Sequence, residues 1–284
     1  MNILIIQENG RHEENRIFRE CFCLQRSFQK LGHNAEVWGL GHDNFNDTDK
    51  NFNNYDLIIN LENYDVSGWV PKMDSVKKPL KFLWSIDPHC RGIDVYKKTF
   101  QEGKYDLILQ AIKDHVDSDS IWFPNCYDDN LIIKREHIKK NKDIGFCGSL
   151  LNRAQILGFL GQRYGLEPDI WVLGDKMVDK INSYWIHFNL NLANDINYRS
   201  FETIGCGTVL LTNRNYQYEE LGFQDEKNCL MYGSIDELIF KLNSYHKNYE
   251  KLKDIGNNGF ELAKKHTYND RASRILKLYQ ELRG

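Results

Sequence analysis

The alternation of short apolar runs with amphipathic stretches, carried through the chain twice, restricts its fold more than any other feature. Asn2–Gln7 is an apolar run suited to a buried strand, and it begins almost at the first residue. From Glu13 to Leu31 the apolar residues Ile17, Cys21, Leu24, Phe28 and Leu31 are spaced by 4, 3, 4 and 3, which is one face of a helix. Gly32 suits the left-handed residue that ends such a helix. Further strand-like runs stand at Asn34–Trp38, Tyr55–Asn60, Leu80–Ser85, Asp106–Ala111 and Ile121–Phe123. Several alternate little between apolar and polar, as strands covered on both faces do. Strand, helix, strand at this spacing calls for parallel strands joined by right-handed crossovers.

Pro124 closes the first series, and residues 125–142 are polar, with Lys134, Arg135, Lys139, Lys140 and Lys142 among them. This stretch reads as a solvated linker or a short charged helix, with a patch for lipid or nucleic-acid phosphate as the alternative. The rhythm then restarts. Ile144–Ser149 reads as a strand ending in a glycine turn, and Arg153–Tyr164 as a helix followed by Gly165. Strands are expected at Ile170–Leu173, Ile186–Leu192, Val209–Thr212 and Cys229–Tyr232. Helices are expected at Asn197–Ile204, Ile235–Tyr249, Lys251–Lys265 and Asn269–Leu282. The expected class is α/β, with two doubly wound, Rossmann-like halves. Ligands of such sheets sit outside the carboxyl ends of the strands, so a cleft between two facing halves is the expected site.

Composition narrows the function classes. The formal net charge is −3, which leaves no global positive field for nucleic acid or an anionic membrane. No apolar run approaches the roughly 20 residues that cross a bilayer. The seven cysteines are scattered without a Cys-x-x-Cys pair, which argues against a zinc site or a disulfide framework and suits small buried residues. These features point to a cytoplasmic chain.

The stretch Asn189–Asn213 carries the most chemistry. A strand runs into a polar loop and then into a helix beginning near Asn197. Backbone N–H groups at that helix start, around Asn197 and Tyr198, suit a diphosphate. Arg199 adds a forked donor for phosphate oxygens. Glu202, one turn further on, is placed to accept the hydroxyls of a ribose, or else pairs with Arg199 on the surface. Gly148 and Ser149, after a strand, allow close approach to a phosphate or make a simple tight turn. His187, among strand residues, reads as a core or edge histidine. His266 is a candidate for positioning the last helix or touching phosphate.

These residues resemble the donor-binding segment of GT-B glycosyltransferases, closest to the spore-maturation-type glycosyltransferase-like group. There an N-x-R-x-F-E stretch precedes a small-residue turn and an "LLT" strand. Here those are Asn197, Arg199, Phe201, Glu202, Gly205, Gly207, Leu210, Leu211 and Thr212. Phe146–Leu150 resembles the "F-x-G-S-L" strand that opens the second domain, and His266-Thr267-Tyr268 with Arg271 resembles the "H-T-Y…R" element. Leu83–Asp87 resembles the "W-x-x-D" segment of the first domain. One departure stands out: larger retaining relatives carry a paired-glutamate motif, and Glu202 matches its second member while Asn194 occupies the place of the first.

The resemblance implies a GT-B fold with an acceptor-side domain over 1–124, a linker over 125–142, a nucleotide-sugar-binding domain over 143–268, and a terminal helix, 269–284, returning to the first domain. It implies transfer of a hexose from a nucleotide sugar, UDP-glucose by default, with no cofactor or metal beyond that co-substrate. Gly148, Ser149, Asn197, Tyr198, Arg199 and Glu202 become the donor-binding set. Candidates for the base acting on the acceptor are Asp87 and His89, after the strand Leu80–Ser85, and His12, after the first strand. The acceptor is left open among a glycan, a lipid-linked sugar, a protein, a small molecule and a modified DNA base, the last disfavoured by net charge. A nucleotide-sugar epimerase on the same fold and a non-catalytic sugar-nucleotide binding module are the alternatives.

Overall fold

A computed structural model describes residues 1–46, 50–61 and 68–284. The chain divides into two compact units, one formed by Met1–Pro124 with Tyr268–Gly284, the other by Asn125–Thr267.

The first unit is built on a six-stranded sheet: β1 (Asn2–Ile6), β2 (Asn34–Trp38), β3 (Leu57–Leu61), β4 (Leu80–Ser85), β5 (Leu107–Gln110) and β6 (Ser120–Trp122). The spatial order is β2-β1-β3-β4-β5-β6, and every pair is parallel. Ile3–Ile6 and Leu57–Ile59 have no exposed surface, which explains why these strands lack a polar face. Each such side chain contributes about 1.5–3 kcal/mol of burial. The single helix expected over Glu13–Leu31 is two elements: a 3-10 helix, Glu13–Phe18, and α1 (Glu20–Lys30), broken at the extended residue Arg19. Cys21, Leu24 and Phe28 face the core, whereas Ile17 and Leu31, at the two ends of the expected stripe, are exposed. A short α2 (Pro88–Arg91) and α3 (Ile93–Gly103) follow β4. The C-terminal helix, Tyr268–Arg283, packs on α1, and its Arg271 Nε donates to the carbonyl of Pro124 at 2.8 Å.

The second unit carries β7 (Lys142–Gly148), α4 (Ala154–Tyr164), β8 (Pro168–Ile170), α5 (Gly174–Ser183), β9 (Tyr184–Asn189), α6 (Tyr198–Gly205), β10 (Val209–Asn213), α7 (Tyr216–Glu220), β11 (Leu230–Tyr232), α8 (Ile235–Tyr245) and α9 (Tyr249–Ala263). Its five strands are again all parallel, in the order β11-β10-β9-β7-β8. Ile144, Phe146, Ile186, Phe188, Val209 and Leu211 form the centre of one core beneath α4 and α8.

Residues 125–142 form no helix, and only their first part is packed away from solvent. Asn125, Cys126, Tyr127, Asp128 and Ile132 are buried in the second unit, and Tyr127 pairs with Thr267. The basic residues are largely engaged: Arg135 with Asp175 and Asp179, Lys134 with Glu136, and Lys142 with Asp169. Lys140 donates to the carbonyls of Asn182 and Tyr184 and to the Thr208 hydroxyl. The partners of Arg135 lie on α5, a helix whose Gly-Asp start reads as a turn in the sequence.

Candidate functional site

The strand order of the second unit fixes where a ligand can enter. From β7 the chain moves outward through α4 to β8, then crosses back through α5 to β9 on the other side of β7. The carboxyl ends of β7 and β9 therefore flank a topological switch point, the place where doubly wound sheets open a crevice. Gly148 ends β7 and Asn189 ends β9.

A buried polar network holds the loop that follows. The Asn189 amide lies 3.3 Å from Asn191 Oδ1, Asn197 Oδ1, Ser200 Oγ and Thr212 Oγ1. Asn197 Nδ2 donates back to Asn189 Oδ1 at 3.1 Å, and Asn191 Nδ2 donates to the Tyr218 hydroxyl at 2.8 Å. Groups buried this deeply must stay paired, so the network pins the start of α6 in one position. Asn197 is the residue before α6, Tyr198 its first residue and Arg199 its second.

Two arginines converge on the end of β9. Arg199 donates to Asn189 Oδ1 at 3.2 Å, and its guanidinium lies 5.3 Å from the centre of the Phe146 ring. Arg153, immediately before α4, is buried; its Nε donates to the Leu190 carbonyl at 3.0 Å. Gly148 makes room for Arg199. Its φ is 154°, and a Cβ there would stand 2.3 Å from an Arg199 nitrogen. Burial lowers the Arg199 pKa. Burial, with the charge of Arg199, pushes Arg153 down to about 10. In this unit the ion-paired arginines are Arg135 and Arg214; among the described residues neither Arg153 nor Arg199 has a carboxylate within ion-pair distance. Two desolvated, mutually repelling cations, neither ion-paired among the described residues and balanced only by the more distant charges of Glu202 and Asp195, favour the approach of an anion.

His187 braces this geometry. The Cys147 N–H donates to its Nε2 at 3.0 Å, so the ring proton sits on Nδ1 and is donated to Thr203 Oγ1 at 2.7 Å. That hydroxyl in turn donates to the Arg199 carbonyl at 2.6 Å. The relay links β7, β9 and the first turn of α6, and full burial holds the imidazole pKa well below its ordinary value. His187 is thus the core histidine expected from its strand position. His266 is packed in the interior of the second unit. Its Nε2 donates to the Leu221 carbonyl, and its ring packs on Phe201 and Phe223.

The structure therefore brings Gly148, Ser149, Asn197, Tyr198 and Arg199 to one end of one sheet. Glu202 lies one turn on, partly buried, and its charge acts on Arg199. Arg153, Asn189 and Asn191 belong with them and are absent from the set read from sequence. In the first unit Asp87 follows β4, partly buried at the start of α2, and His89 is exposed on α2. His12 is exposed just before the 3-10 helix that follows β1. All three leave carboxyl ends of that unit's strands. All seven cysteines are free thiols, six of them buried. Among the described residues no cluster of three His, Cys, Asp or Glu side chains is placed to hold a metal ion, and no helix is long and apolar enough to cross a membrane.

Residues 143–277 match the glycosyl transferase-like family, so the segment holding the arginine pair lies within that family's domain. The chain has the GT-B fold. Solved structures of that fold align with it over nearly its whole length. HepE from Anabaena, in complex with UDP-glucose, is 11% identical with a TM-score of 0.68, covering 98% of this chain and 99% of its own. Sucrose-phosphate synthase from Thermosynechococcus elongatus is 11% identical with a TM-score of 0.68, covering 99% and 98%. An alpha-glucosyltransferase in complex with UDP and a 13-mer DNA containing a central A:G mismatch is 11% identical with a TM-score of 0.72, covering 99% of both chains. No curated protein matches this chain in sequence.

Proposed function

We propose that the chain is a glycosyltransferase that moves a hexose from a nucleoside-diphosphate sugar, with UDP-glucose the first donor to try, to an acceptor hydroxyl. The observation that carries the reading is the pair Arg153 and Arg199, desolvated and without a carboxylate partner beside Gly148. Sugar transfer builds negative charge on the departing diphosphate, and fixed cations in a water-poor site stabilise that charge more in the transition state than in the ground state. Gly148 and Ser149 let the backbone approach the phosphates, and the start of α6 at Asn197 and Tyr198 adds its N–H groups. Glu202 takes the ribose hydroxyls. The UDP and UDP-glucose bound by HepE support a uridine donor, as does the UDP bound by the alpha-glucosyltransferase.

The first unit, with the C-terminal helix, serves the acceptor, and the second serves the donor. Asp87 acts as the base on the acceptor hydroxyl; His12 and His89 are the other candidates. The reaction uses no cofactor beyond the nucleotide sugar. Seven free thiols suit a reducing compartment such as the cytoplasm. The acceptor is a glycan, a lipid, a protein or a small molecule in preference to DNA, because the chain is net acidic and its basic run is ion-paired.

A panel of nucleotide sugars, assayed for release of free nucleotide, tests this. Slow donor hydrolysis without acceptor, rising with the right hydroxyl compound, is the expected result. Interconversion of one nucleotide sugar to another, or binding without turnover of any donor, would overturn it.

A further inference from the structure

The first unit has its own switch point, because β2 lies on one side of β1 and β3 on the other. The loop leaving the carboxyl end of β1 runs through Asn9 and Gly10 beside the loop leaving β2. Asn9 N–H donates to the Leu40 carbonyl at 2.8 Å, and Asn9 Nδ2 to the Gly41 carbonyl at 3.0 Å. Arg19, the extended residue just ahead of α1, folds onto this loop. Gly10 has φ 77°, and a Cβ built there would stand 2.4 Å from Arg19 Nη1. The left-handed backbone favours glycine at residue 10, and a side chain there would also displace the Arg19 guanidinium.

Among the described residues the Arg19 guanidinium has no hydrogen-bond or ion-pair partner. Its Nε is buried without a hydrogen bond, and so is Asn9 Oδ1, next to Gly10 in the chain. The neighbouring carboxylates are committed elsewhere: Glu20 accepts from Gln7 Nε2 at 2.8 Å, and Glu13 pairs with Arg16. Arg16 adds to the basic side of the cluster; burial, with the charges of Arg16 and Arg19, lowers the pKa of His42, whose Nε2 donates to the Gln7 carbonyl at 2.9 Å. The chain is net acidic, yet at this strand end a half-buried guanidinium makes no ion pair among the described residues. An arginine fork prefers a planar carboxylate or a phosphate, and the unpaired Asn9 Oδ1 of the same loop can accept from a hydroxyl.

We propose that Arg19, on Gly10 and Asn9, is the anion-recognition element of the first unit, so that the acceptor is a hydroxyl compound bearing a phosphate or a carboxylate. This rests on the reading of the first unit as the acceptor side. It gives Arg19 a binding role distinct from that of Asp87 or His12.

The test is calorimetric titration of the full chain with UDP held saturating, so that the second unit's arginines are occupied. The probes are inorganic phosphate, a hexose phosphate, the matching hexuronate and the free hexose. The expected result is that the charged sugars bind at least 10-fold tighter than the free hexose, and that Arg19→Ala removes this preference. Arg19→Lys, which keeps the charge but loses the fork, should retain part of it. The order of hexose phosphate and hexuronate tells which anion is preferred. UDP affinity should stay within about 2-fold in both variants. Equal binding of charged and free sugars, or phosphate binding unmoved by Arg19→Ala, overturns the proposal. If UDP itself does not bind, the donor reading fails; the same titration on Arg199→Ala without UDP still decides the role of Arg19.

Discussion

Replacing Arg199 with methionine should separate folding from function. The substitution keeps an extended apolar stem against Phe146 and removes the charge. In the ligand-free protein it loses the bond to Asn189 Oδ1, but Asn197 still supplies that oxygen with a donor. It also relieves Arg153, whose fall from 12.5 to about 10 corresponds to roughly 3 kcal/mol against its charged form, most of it from burial. Gains and losses nearly cancel, so the free protein should change by no more than about 1 kcal/mol, or roughly 2–4 °C in Tm. Binding should respond differently. Charge-assisted hydrogen bonds contribute about 1.5–3 kcal/mol, so the Kd for UDP should rise roughly 10- to 150-fold. At a UDP concentration of 100 times the wild-type Kd, ligand stabilises the wild type by about 2.7 kcal/mol. With Kd raised about 100-fold the variant would gain only about 0.4 kcal/mol. Thermal melts with and without UDP read both quantities. A free variant that melts more than about 5 °C lower would make Arg199 a structural pin. An unchanged UDP-induced shift would remove it from the donor site.

Other residues give sharper single tests. Glu202→Ala should weaken nucleotide binding by about 1–3 kcal/mol, measured by calorimetry, and unchanged affinity would leave Glu202 acting only through its charge on Arg199. Asp87→Asn should cut transfer by roughly 100-fold or more while donor affinity moves by less than about 1 kcal/mol; near wild-type rates would shift the base to His12. Gly148→Ala should abolish the UDP-induced shift, because its Cβ would occupy the place of the Arg199 guanidinium 2.3 Å away. His187 is held neutral in the fold, so the unfolded chain binds more protons below its ordinary pKa of 6.5. Stability should therefore be full above about pH 7 and fall as pH drops below about 6.5, by up to ~1.4 kcal/mol per pH unit from this residue. His187→Gln should flatten that slope in melts run from pH 7 to pH 5.

The sheets were legible because their strands are buried on both faces. Leu57–Leu61 and Leu80–Ser85 need no tertiary information to be seen, since apolar runs of that length between turn signals have few other uses. Helix ends were harder. The 4, 3, 4, 3 spacing from Ile17 to Leu31 is genuine, yet the chain bends at Arg19 and leaves both end residues exposed. Periodicity reports which residues are apolar, not where the backbone breaks. α5 was missed because Gly174-Asp175 reads as a turn and only Val178, Ile181 and Asn182 mark its buried stripe beyond that start. On the donor side, Gly148, Asn197 and Arg199 carry their signal in a local order of residues. Arg153 carries none: an arginine at a helix start reads as a surface charge, and only the fold brings it to the Leu190 carbonyl. The same is true of Arg19, whose missing partner is a property of packing.

The central claim is that Arg153 and Arg199 are the diphosphate site of a sugar-nucleotide transferase, and a structure of the chain with bound UDP tests it most directly. The account predicts diphosphate oxygens within about 3 Å of both guanidiniums, at hydrogen-bond distance. It also predicts that the backbone at Gly148 closes on the phosphates and that the Glu202 carboxylate meets the ribose. UDP bound with either arginine turned away, or bound at another part of the second unit, would contradict it.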